Sequence, residues 1–219
     1  MLSEAYRDFK YLLNRGYRKT YALDFVANHY RLTLRERHLL ARCVFSDGWI
    51  KEVERKLLKS SDLRGRILAI DGFNVLITLE SLMEGRAMLC EDGLVRDLKY
   101  QGKYRINEKT EKLILKTAEA LMRLNVGRAV FFYGKGNPKS GLVAAMTRKA
   151  LKKVGVPGEV YLVRSPDHEL RGFENVATAD TAVIAKVSGA FDLAKHVGKT
   201  LEGTPLSFCE ILSKLRSPH

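Results

Sequence analysis

Residues 67–75 read Ile-Leu-Ala-Ile-Asp-Gly-Phe-Asn-Val, and this stretch decides the fold class. Its first four residues form an apolar run that follows Gly65 and Arg66 and is too short for a helix. Such a run is typical of a buried strand in a parallel sheet. Asp71 would then lie at the carboxyl end of the strand, which is the edge where open α/β sheets bind their ligands.

A second short motif, Ala-Thr-Ala-Asp at residues 177–180, comes much later in the chain. Thr178 is a residue type that caps helices, and Asp180 would lie in the first turn of the helix that Thr178 opens. Two carboxylates at one edge of a parallel sheet favour a hard divalent cation. The sequence therefore predicts that Asp71 and Asp180 converge.

Each of these residues also has an ordinary structural interpretation. An Asp-Gly pair commonly closes a strand, so Asp71 needs no catalytic role to be explained. The helix macrodipole alone would favour Asp180 near a helix N-terminus. Asn74 either orients Asp71 or a phosphate, or is the N-cap of the next helix.

The two motifs together resemble the NYN branch of the PIN-like nuclease superfamily, closest to its YacP-like group. In that family an Asp-Gly-x-Asn follows the first strand and a Thr-Ala-Asp opens a later helix. The resemblance covers roughly residues 65 to 190, and the part before it is similar to the helical domain of a mainly archaeal family that carries such a domain. It implies a metal-dependent ribonuclease that uses Mg²⁺ or Mn²⁺, with four candidate catalytic residues: Asp71, Asn74, Thr178 and Asp180.

One position departs from the family pattern. The family usually places a further Asp directly after its second core strand, which is predicted here at residues 128–133 and is followed by Gly134. Asp167 and Glu174 lie in the loop after the third predicted strand and are candidates for the missing metal ligand beside Asp71 and Asp180. A solvated surface loop is the alternative interpretation of that segment.

The charge of the chain favours a polyanionic partner. It has 38 Lys and Arg against 25 Asp and Glu, a net charge of +13 and a pI near 9.7. The excess is +6 in residues 1–64 and +7 in the remainder, so it is not confined to a tail. Positive surfaces bind nucleic acid through counterion release, although solubility alone is an alternative explanation.

Candidate nucleic-acid-binding residues lie in the loop at 135–141 and in the basic helix predicted at 142–154. The loop combines glycines, lysines and a Ser at a helix start, which would suit a phosphate. It lacks the spacing of a Walker A loop, so nucleoside triphosphate binding is not predicted. The candidates are Lys135, Lys139, Ser140, Arg148, Lys149, Lys152 and Lys153.

The pattern along the chain predicts two domains, a helical basic domain at 1–62 and a PIN-like α/β domain at 65–219, separated by a polar segment at 59–65. Helices are expected at 2–14, 21–30, 33–45 and 49–58, the third with a capping box from Thr33 to Glu36. Beyond the boundary, strands at 67–70, 128–133 and 159–163 alternate with helices at 75–83, 108–124, 142–154 and 178–187, and a hairpin turns at Asp92-Gly93. This alternation predicts a parallel sheet with helices on both faces.

Several classes are excluded by composition. No run of about 18 apolar residues exists, and the N-terminus lacks the apolar centre of a signal peptide, so we expect a cytoplasmic protein with no membrane partner. Cys43, Cys90 and Cys209 are odd in number and widely spaced, which favours free thiols over a zinc site.

The sequence thus predicts a PIN-like endoribonuclease that acts on RNA. The first alternative is a catalytically silent RNA- or ribosome-binding protein that keeps the fold. The second is a DNA-binding regulator, because the helices at 21–30 and 33–45 resemble a helix-turn-helix in length, although their turn lacks the usual Gly. A haloacid-dehalogenase-type phosphatase is disfavoured, since that chemistry needs a second Asp where Phe73 lies.

Overall fold

The computed structural model describes residues 1–98, 103–201 and 203–216. It begins with four helices, α1 (Leu2–Asn14), α2 (Lys19–His29), α3 (Leu34–Cys43) and α4 (Asp47–Lys56). The predicted capping box is confirmed, because Thr33 Oγ1 accepts a hydrogen bond from Glu36 N and the Glu36 carboxylate accepts one from Thr33 N. α2 and α4 each begin two residues earlier than predicted.

The α/β part follows, after a single 3-10 turn (Ser60–Leu63). Its elements are β1 (Ile67–Asp71), α5 (Gly72–Met83), β2 (Ala87–Leu89), β3 (Val95–Asp97), α6 (Thr110–Arg123), β4 (Arg128–Gly134), α7 (Ser140–Val154), β5 (Gly158–Val163), α8 (Pro166–Leu170), β6 (Asn175–Ala177), α9 (Thr181–Ile184), β7 (Gly189–Ala190), α10 (Leu193–Gly198), β8 (Leu206–Ser207) and α11 (Phe208–Arg216). The α/β domain was predicted to end at residue 219, which lies outside the residues that the structure describes.

The main sheet has five parallel strands in the order β5-β4-β1-β6-β7. The predicted α/β class, with a parallel sheet flanked by helices, is therefore confirmed. Asp71 pairs with Phe132 on one side, and Ile70 pairs with Ala177 on the other. Because the strands run in parallel, the residues after β1, β4 and β6 all emerge at one edge of the sheet.

Alternate residues of β1 face opposite sides of the sheet, and both sides are covered. Leu68 and Ile70 belong to the main core, which is shared with residues of α5, α6, α7 and α10. Ala69 packs instead with Val130 on β4 and with Leu170 on α8. A strand buried on both faces has no polar alternation, which is why its sequence is a continuous apolar run.

The predicted hairpin is also confirmed, because β2 and β3 pair in antiparallel fashion. β2 pairs in addition with β8, which gives a second sheet in the order β3-β2-β8. The core of the N-terminal helices includes residues of this second sheet and of α11: Phe9 and Leu40 cluster with Met88 and Phe208. The helical segment thus shares its core with the hairpin and the C-terminal helix.

Two predicted elements differ from the structure. The stretch after the third predicted strand was expected to be a loop, but it contains α8 and the three-residue strand β6. The helix predicted at 178–187 is the four-residue α9. In addition, α6 begins at Thr110, two residues after the start predicted at residue 108. Among the described residues, no helix is long and apolar enough to cross a membrane.

Candidate functional site at the carboxyl edge of the sheet

Asp71 ends β1 with a buried side chain, 9% exposed. Its carboxylate accepts a hydrogen bond of 3.3 Å from Thr178 Oγ1 and a longer one of 3.4 Å from Asn74 N. Thr178 directly follows β6, the strand that pairs with β1. The pairing of these two strands therefore joins the two sequence motifs.

The second motif is held to the first by further contacts. Asn74 Oδ1 accepts from Ala179 N at 3.0 Å, and Thr178 Oγ1 accepts from Asp180 N at 3.1 Å. The structure thus brings together the four predicted catalytic residues, Asp71, Asn74, Thr178 and Asp180. Their polar groups are linked through one continuous chain of hydrogen bonds.

The predicted helix cap at Thr178 is wrong, and so is the alternative that Asn74 is an N-cap. Asp180, and not Thr178, caps α9: its Oδ1 accepts from Ala182 N at 2.7 Å and from Val183 N at 3.2 Å. Asp71, and not Asn74, caps α5, which begins at Gly72. Thr178 does not cap because its hydroxyl already contacts Asp71 and Asp180 N.

Gly72 is needed at this position for a steric reason. A Cβ there would collide with the ring of Tyr133, which is fully buried behind the site. Tyr133 and Phe73 are both buried, so neither ring is open to stack on a base. Tyr133 exchanges a hydrogen bond of 2.9 Å with Thr147 instead.

Burial raises the pKa of Asp71 from 3.8 to about 7, partly offset by the hydrogen bond from Asn74 N. The negative charges of Asp167 and Asp180 raise the pKa of Asp71 further. Asp71 therefore lies in the electrostatic field of two other acids at the same edge of the sheet. A local excess of negative charge of this kind favours a cation.

Gly134, where the family places an Asp, is the last residue of β4. A Cβ at Gly134 would lie 3.6 Å from Pro166 Cγ, an ordinary van der Waals contact. Asp167 is the next residue on α8, and its negative charge acts on Asp71. Glu174 lies elsewhere: it is exposed and precedes β6, at the amino edge of the sheet. Of the two candidate substitutes, only Asp167 is at the correct edge.

The donors at this edge do not form a complete metal cage. Among the residues that the structure describes, no group of three His, Cys, Asp or Glu is arranged to hold a metal ion. Mg²⁺, however, is usually held by one or two carboxylates and completes its shell with waters and substrate phosphates. Asp71 and Asp180 are the two carboxylates of the sequence motifs at this edge of the sheet.

The predicted nucleic-acid-binding residues fall into two groups. Lys135 and Lys139 are exposed in the loop after β4, on the same side of the sheet as Asp71. Ser140 is buried, so its hydroxyl is not open to a phosphate as predicted.

The basic residues of α7 are spread along a helix that leads away from the site. α7 has 15 residues, which corresponds to roughly 22 Å, and it returns to the amino end of β5. Lys152 and Lys153 are exposed at that far end, with Lys149 one turn before them, and Arg148 donates to Val160 O at 2.6 Å. These four residues therefore do not surround Asp71.

A cleft of about 1160 Å³ lies between the N-terminal helices and the carboxyl edge of the sheet. Asn74 and Asp180 line it together with Ala179. The other lining residues that carry charge or an aromatic ring are Tyr17, Lys19, Arg42, Phe45, Trp49, Glu80, Arg96, Asp97, Lys103, Tyr104 and Arg105. We call this space the cleft. Its walls come from segments far apart in the chain, so sequence motifs did not reveal it.

Arg96 is a site residue that sequence reasoning missed. It is 4% exposed, forms a bidentate ion pair with Asp92 at 2.6 and 2.7 Å, and donates through Nε to Ala179 O at 3.0 Å. Burial opposes the charge of Arg96, but the hydrogen bonds and the charge of Asp92 outweigh it and raise the pKa of Arg96, so the guanidinium stays charged. Arg96 thus positions the backbone of the second motif. Asp92 serves the hairpin turn, where its carboxylate accepts from Leu94 N, and it also accepts from Trp49 Nε1.

Lys19 was also missed. Its Nζ lies 3.7 Å from the centroid of the Phe45 ring, within the cleft. Burial, followed by the charge of Arg96, lowers the pKa of Lys19 to about 8. Asp97 lines the same cleft with one buried carboxylate oxygen, Oδ1, that has no hydrogen-bond partner among the described residues.

The profile of the domain of unknown function DUF5616 matches residues 60–196, and that of the protein of unknown function DUF434 matches residues 1–56. The chain belongs to the DUF5616 family. The DUF5616 chain is similar to "Uncharacterized protein MJ0935" of Methanocaldococcus jannaschii, with 44% identity over 185 residues that cover 84% of this chain and 88% of the relative. No solved structure matches the chain.

Proposed function

We propose that this protein is a metal-dependent endoribonuclease with a PIN-like, NYN-like α/β domain. One observation carries the proposal: the hydrogen-bonded group of Asp71, Asn74, Thr178 and Asp180 opens into the cleft through Asn74 and Asp180. Carboxylates beside a cleft lined with Lys and Arg suit cleavage of a polyanion. RNA is the proposed substrate and partner.

The residues of the site have separate proposed roles. Asp71 and Asp180 would hold Mg²⁺ or Mn²⁺, and Asp167 would add negative charge beside them. Such an ion would supply an activated water and stabilise charge on the leaving oxygen. Thr178 and Asn74 fix the Asp71 carboxylate and the backbone of the second motif. Lys135 and Lys139 attract the RNA backbone towards this edge.

A second candidate function is supported by a different observation. Position 134 is Gly, and among the described residues no three-donor metal group exists. Both facts favour a catalytically silent protein that binds RNA or the ribosome through the same cleft. The helix-turn-helix interpretation of α2 and α3 stays a prediction, since no feature of the site favours it.

The test is an RNA cleavage panel with Mg²⁺, with Mn²⁺ and with chelator. Wild type should cleave in millimolar metal and be inactive in chelator. Asp180→Asn keeps a side chain that can cap α9 but removes a ligand charge, so it should abolish cleavage and leave RNA binding largely intact. Gly134→Asp should raise activity, since a Cβ fits there.

Glu174→Gln is the matched control, because it removes an exposed carboxylate at the opposite edge of the sheet. It should leave cleavage unchanged. If RNA binds but neither wild type nor Gly134→Asp cleaves any RNA in the panel, the silent RNA-binding function replaces the nuclease.

A further inference from the structure

α2 presents a row of exposed aromatic rings. Tyr21 and Phe25 are 66% and 68% exposed and lie four residues apart, so they share one face of the helix. Tyr17, just before the helix, is 60% exposed. Single exposed apolar side chains are ordinary on protein surfaces. Among the described residues, however, four of the five most exposed aromatic side chains lie between residues 11 and 25: Tyr11, Tyr17, Tyr21 and Phe25.

The row is surrounded by positive charge. Residues 15–31 contain Arg15, Arg18, Lys19 and Arg31 against a single acid, Asp24. The guanidinium carbon of Arg15 lies 5.3 Å from the centroid of the Tyr11 ring, which shows the contact that such cations make with an aromatic face. Aromatic rings set in a positive surface are the pattern by which proteins bind single-stranded nucleic acid.

The row is continuous with the proposed catalytic site. Tyr17 lines the mouth of the cleft together with Lys19, and the same cleft contains Asp180. Tyr21 and Phe25 follow on α2, which begins at Lys19, so the row starts at the cleft and extends along this helix.

We propose that Tyr17, Tyr21 and Phe25 form a stacking platform that binds single-stranded RNA and leads it into the cleft. The proposal rests on RNA being the substrate class. Unpaired bases can lie flat on these rings, whereas the bases of a duplex are inside the helix and are not available. The surrounding cations favour RNA over a protein partner or a second copy of this chain, which would itself carry a net positive charge.

The test measures the Kd of a short oligo(U) in chelator, where cleavage does not interfere. The double variant Tyr21→Ala/Phe25→Ala should bind about tenfold or more weakly. The slope of log Kd against log salt concentration should not change, because stacking releases no counterions. Tyr21→Phe/Phe25→Tyr keeps both rings and should bind like wild type. Tyr161→Ala, which removes an exposed ring on β5, is the matched control.

Several outcomes would overturn the platform. The first is a double variant that binds oligo(U) as tightly as wild type. The second is a wild type that binds a duplex of the same length equally well. The third is a double variant that loses self-association but not RNA binding. Failure of the nuclease is a separate result: RNA that binds through these rings but is never cleaved leaves the platform standing. Unchanged thermal unfolding of the double variant would show that the fold is intact, as expected for exposed side chains.

A second inference comes from a different part of the molecule. The Sγ atoms of Cys43, at the end of α3, and Cys90, just after β2, lie 3.2 Å apart, and both side chains are buried. They are 47 residues apart in the chain. Cysteine side chains that already face each other at this distance need only a small shift to bond. We infer that Cys43 and Cys90 form a disulfide when the protein is oxidised, joining the end of α3 to the hairpin of β2 and β3.

The reaction balances with a peroxide as oxidant. One of the two thiolates attacks hydrogen peroxide to give a sulfenic acid and hydroxide, and the other thiol then displaces water to form the disulfide. The two sulfur atoms already share a hydrogen bond, which Cys90 Sγ donates to Cys43 Sγ.

The test uses the Cys209→Ala protein, which lacks the exposed thiol. Peroxide should remove two hydrogen masses, make both remaining cysteines unreactive to a maleimide in denaturant, and raise the midpoint of thermal unfolding. Cys43→Ala in the same background should instead stop at a sulfenic acid or form no adduct. If the Cys209→Ala protein keeps two reactive thiols after treatment that fully oxidises a control dithiol, the inference is wrong.

Discussion

Thr178 donates a hydrogen bond of 3.3 Å to Asp71, although 107 residues separate them in the chain. The bond exists because β6 pairs directly with β1, and each residue lies where its strand ends. The same hydroxyl oxygen accepts from Asp180 N. One side chain thus connects the buried carboxyl group to the segment that reaches the cleft.

Removal of this hydroxyl should destabilise the protein. Thr178→Val keeps the volume but leaves the buried Asp71 carboxyl and Asp180 N without their partner, which should cost about 1–3 kcal/mol. Thr178→Ser keeps the hydroxyl and should lose much less. The free energy of unfolding in urea measures the difference. Equal stability of the Val and Ser variants would show that the hydrogen bond contributes nothing.

The buried ion pair of Arg96 and Asp92 should contribute more to the stability of the protein than an exposed ion pair does. Arg96→Met leaves the Asp92 carboxylate buried, at 1% exposure, without its partner, and should cost about 3–5 kcal/mol. Arg128→Met breaks the ion pair of Arg128 and Glu159, whose side chains are 46% and 44% exposed, respectively. This variant should lose less than about 1 kcal/mol of stability. Urea unfolding of the two variants compares them directly. Similar losses would contradict the role assigned to Arg96.

Lys19 should make stability rise with pH in an alkaline window. Its pKa is about 8 in the folded protein and 10.5 in the unfolded chain, so the unfolded state binds more protons between these values. Burial of the charged ammonium is unfavourable below pH 8, and this cost disappears as pH rises towards 10.5. Lys19→Met lacks the titration. The free energy of unfolding of Lys19→Met minus that of wild type should therefore decrease as the pH is raised from 8 to 10.5. A difference that stays constant over this range would refute the lowered pKa of Lys19.

Salt dependence should separate the two groups of lysines. Lys135→Gln/Lys139→Gln removes charges at the carboxyl edge and should reduce the slope of log Kd against log salt by about one per lost phosphate contact. Lys152→Gln/Lys153→Gln removes equal charge at the far end of α7 and should leave the slope nearly unchanged. Oligo(U) binding between low and moderate salt is the measurement. Equal effects of the two double variants would mean that RNA does not select this edge.

The sequence predicted best the elements with strong local signals. β1 is an apolar run followed by Asp-Gly, and α7 ends at Gly155 with the positive φ of +73° that favours glycine there. β6 was missed because three residues, Asn-Val-Ala, carry no pattern of their own and become a strand only by pairing with β1.

Only the part of the candidate site that has a local sequence signal was predicted. Asp71, Asn74, Thr178 and Asp180 stand in short motifs whose positions follow from strand order. Arg96 and Lys19 have no motif, because their roles depend on Asp92, Ala179 and Phe45 in other segments. An Asp four residues before an Arg, across a tight hairpin turn, was the available signal for the buried pair. Glu174 was predicted at the wrong edge of the sheet because β6, which directly follows it, was not predicted.

Phe208 and Met88 complete the core of the N-terminal helices, and α1 packs directly on α11. We therefore expect the segment matched by DUF434 and the rest of the chain to unfold as a single cooperative unit. Fragments 1–56 and 60–219, made as separate polypeptides, would each expose the residues that they contribute to this core. When the two fragments are mixed, they should associate and bury this core again. The chain would then behave as a split protein. Assembly of the two fragments would show that the cleft between them has formed.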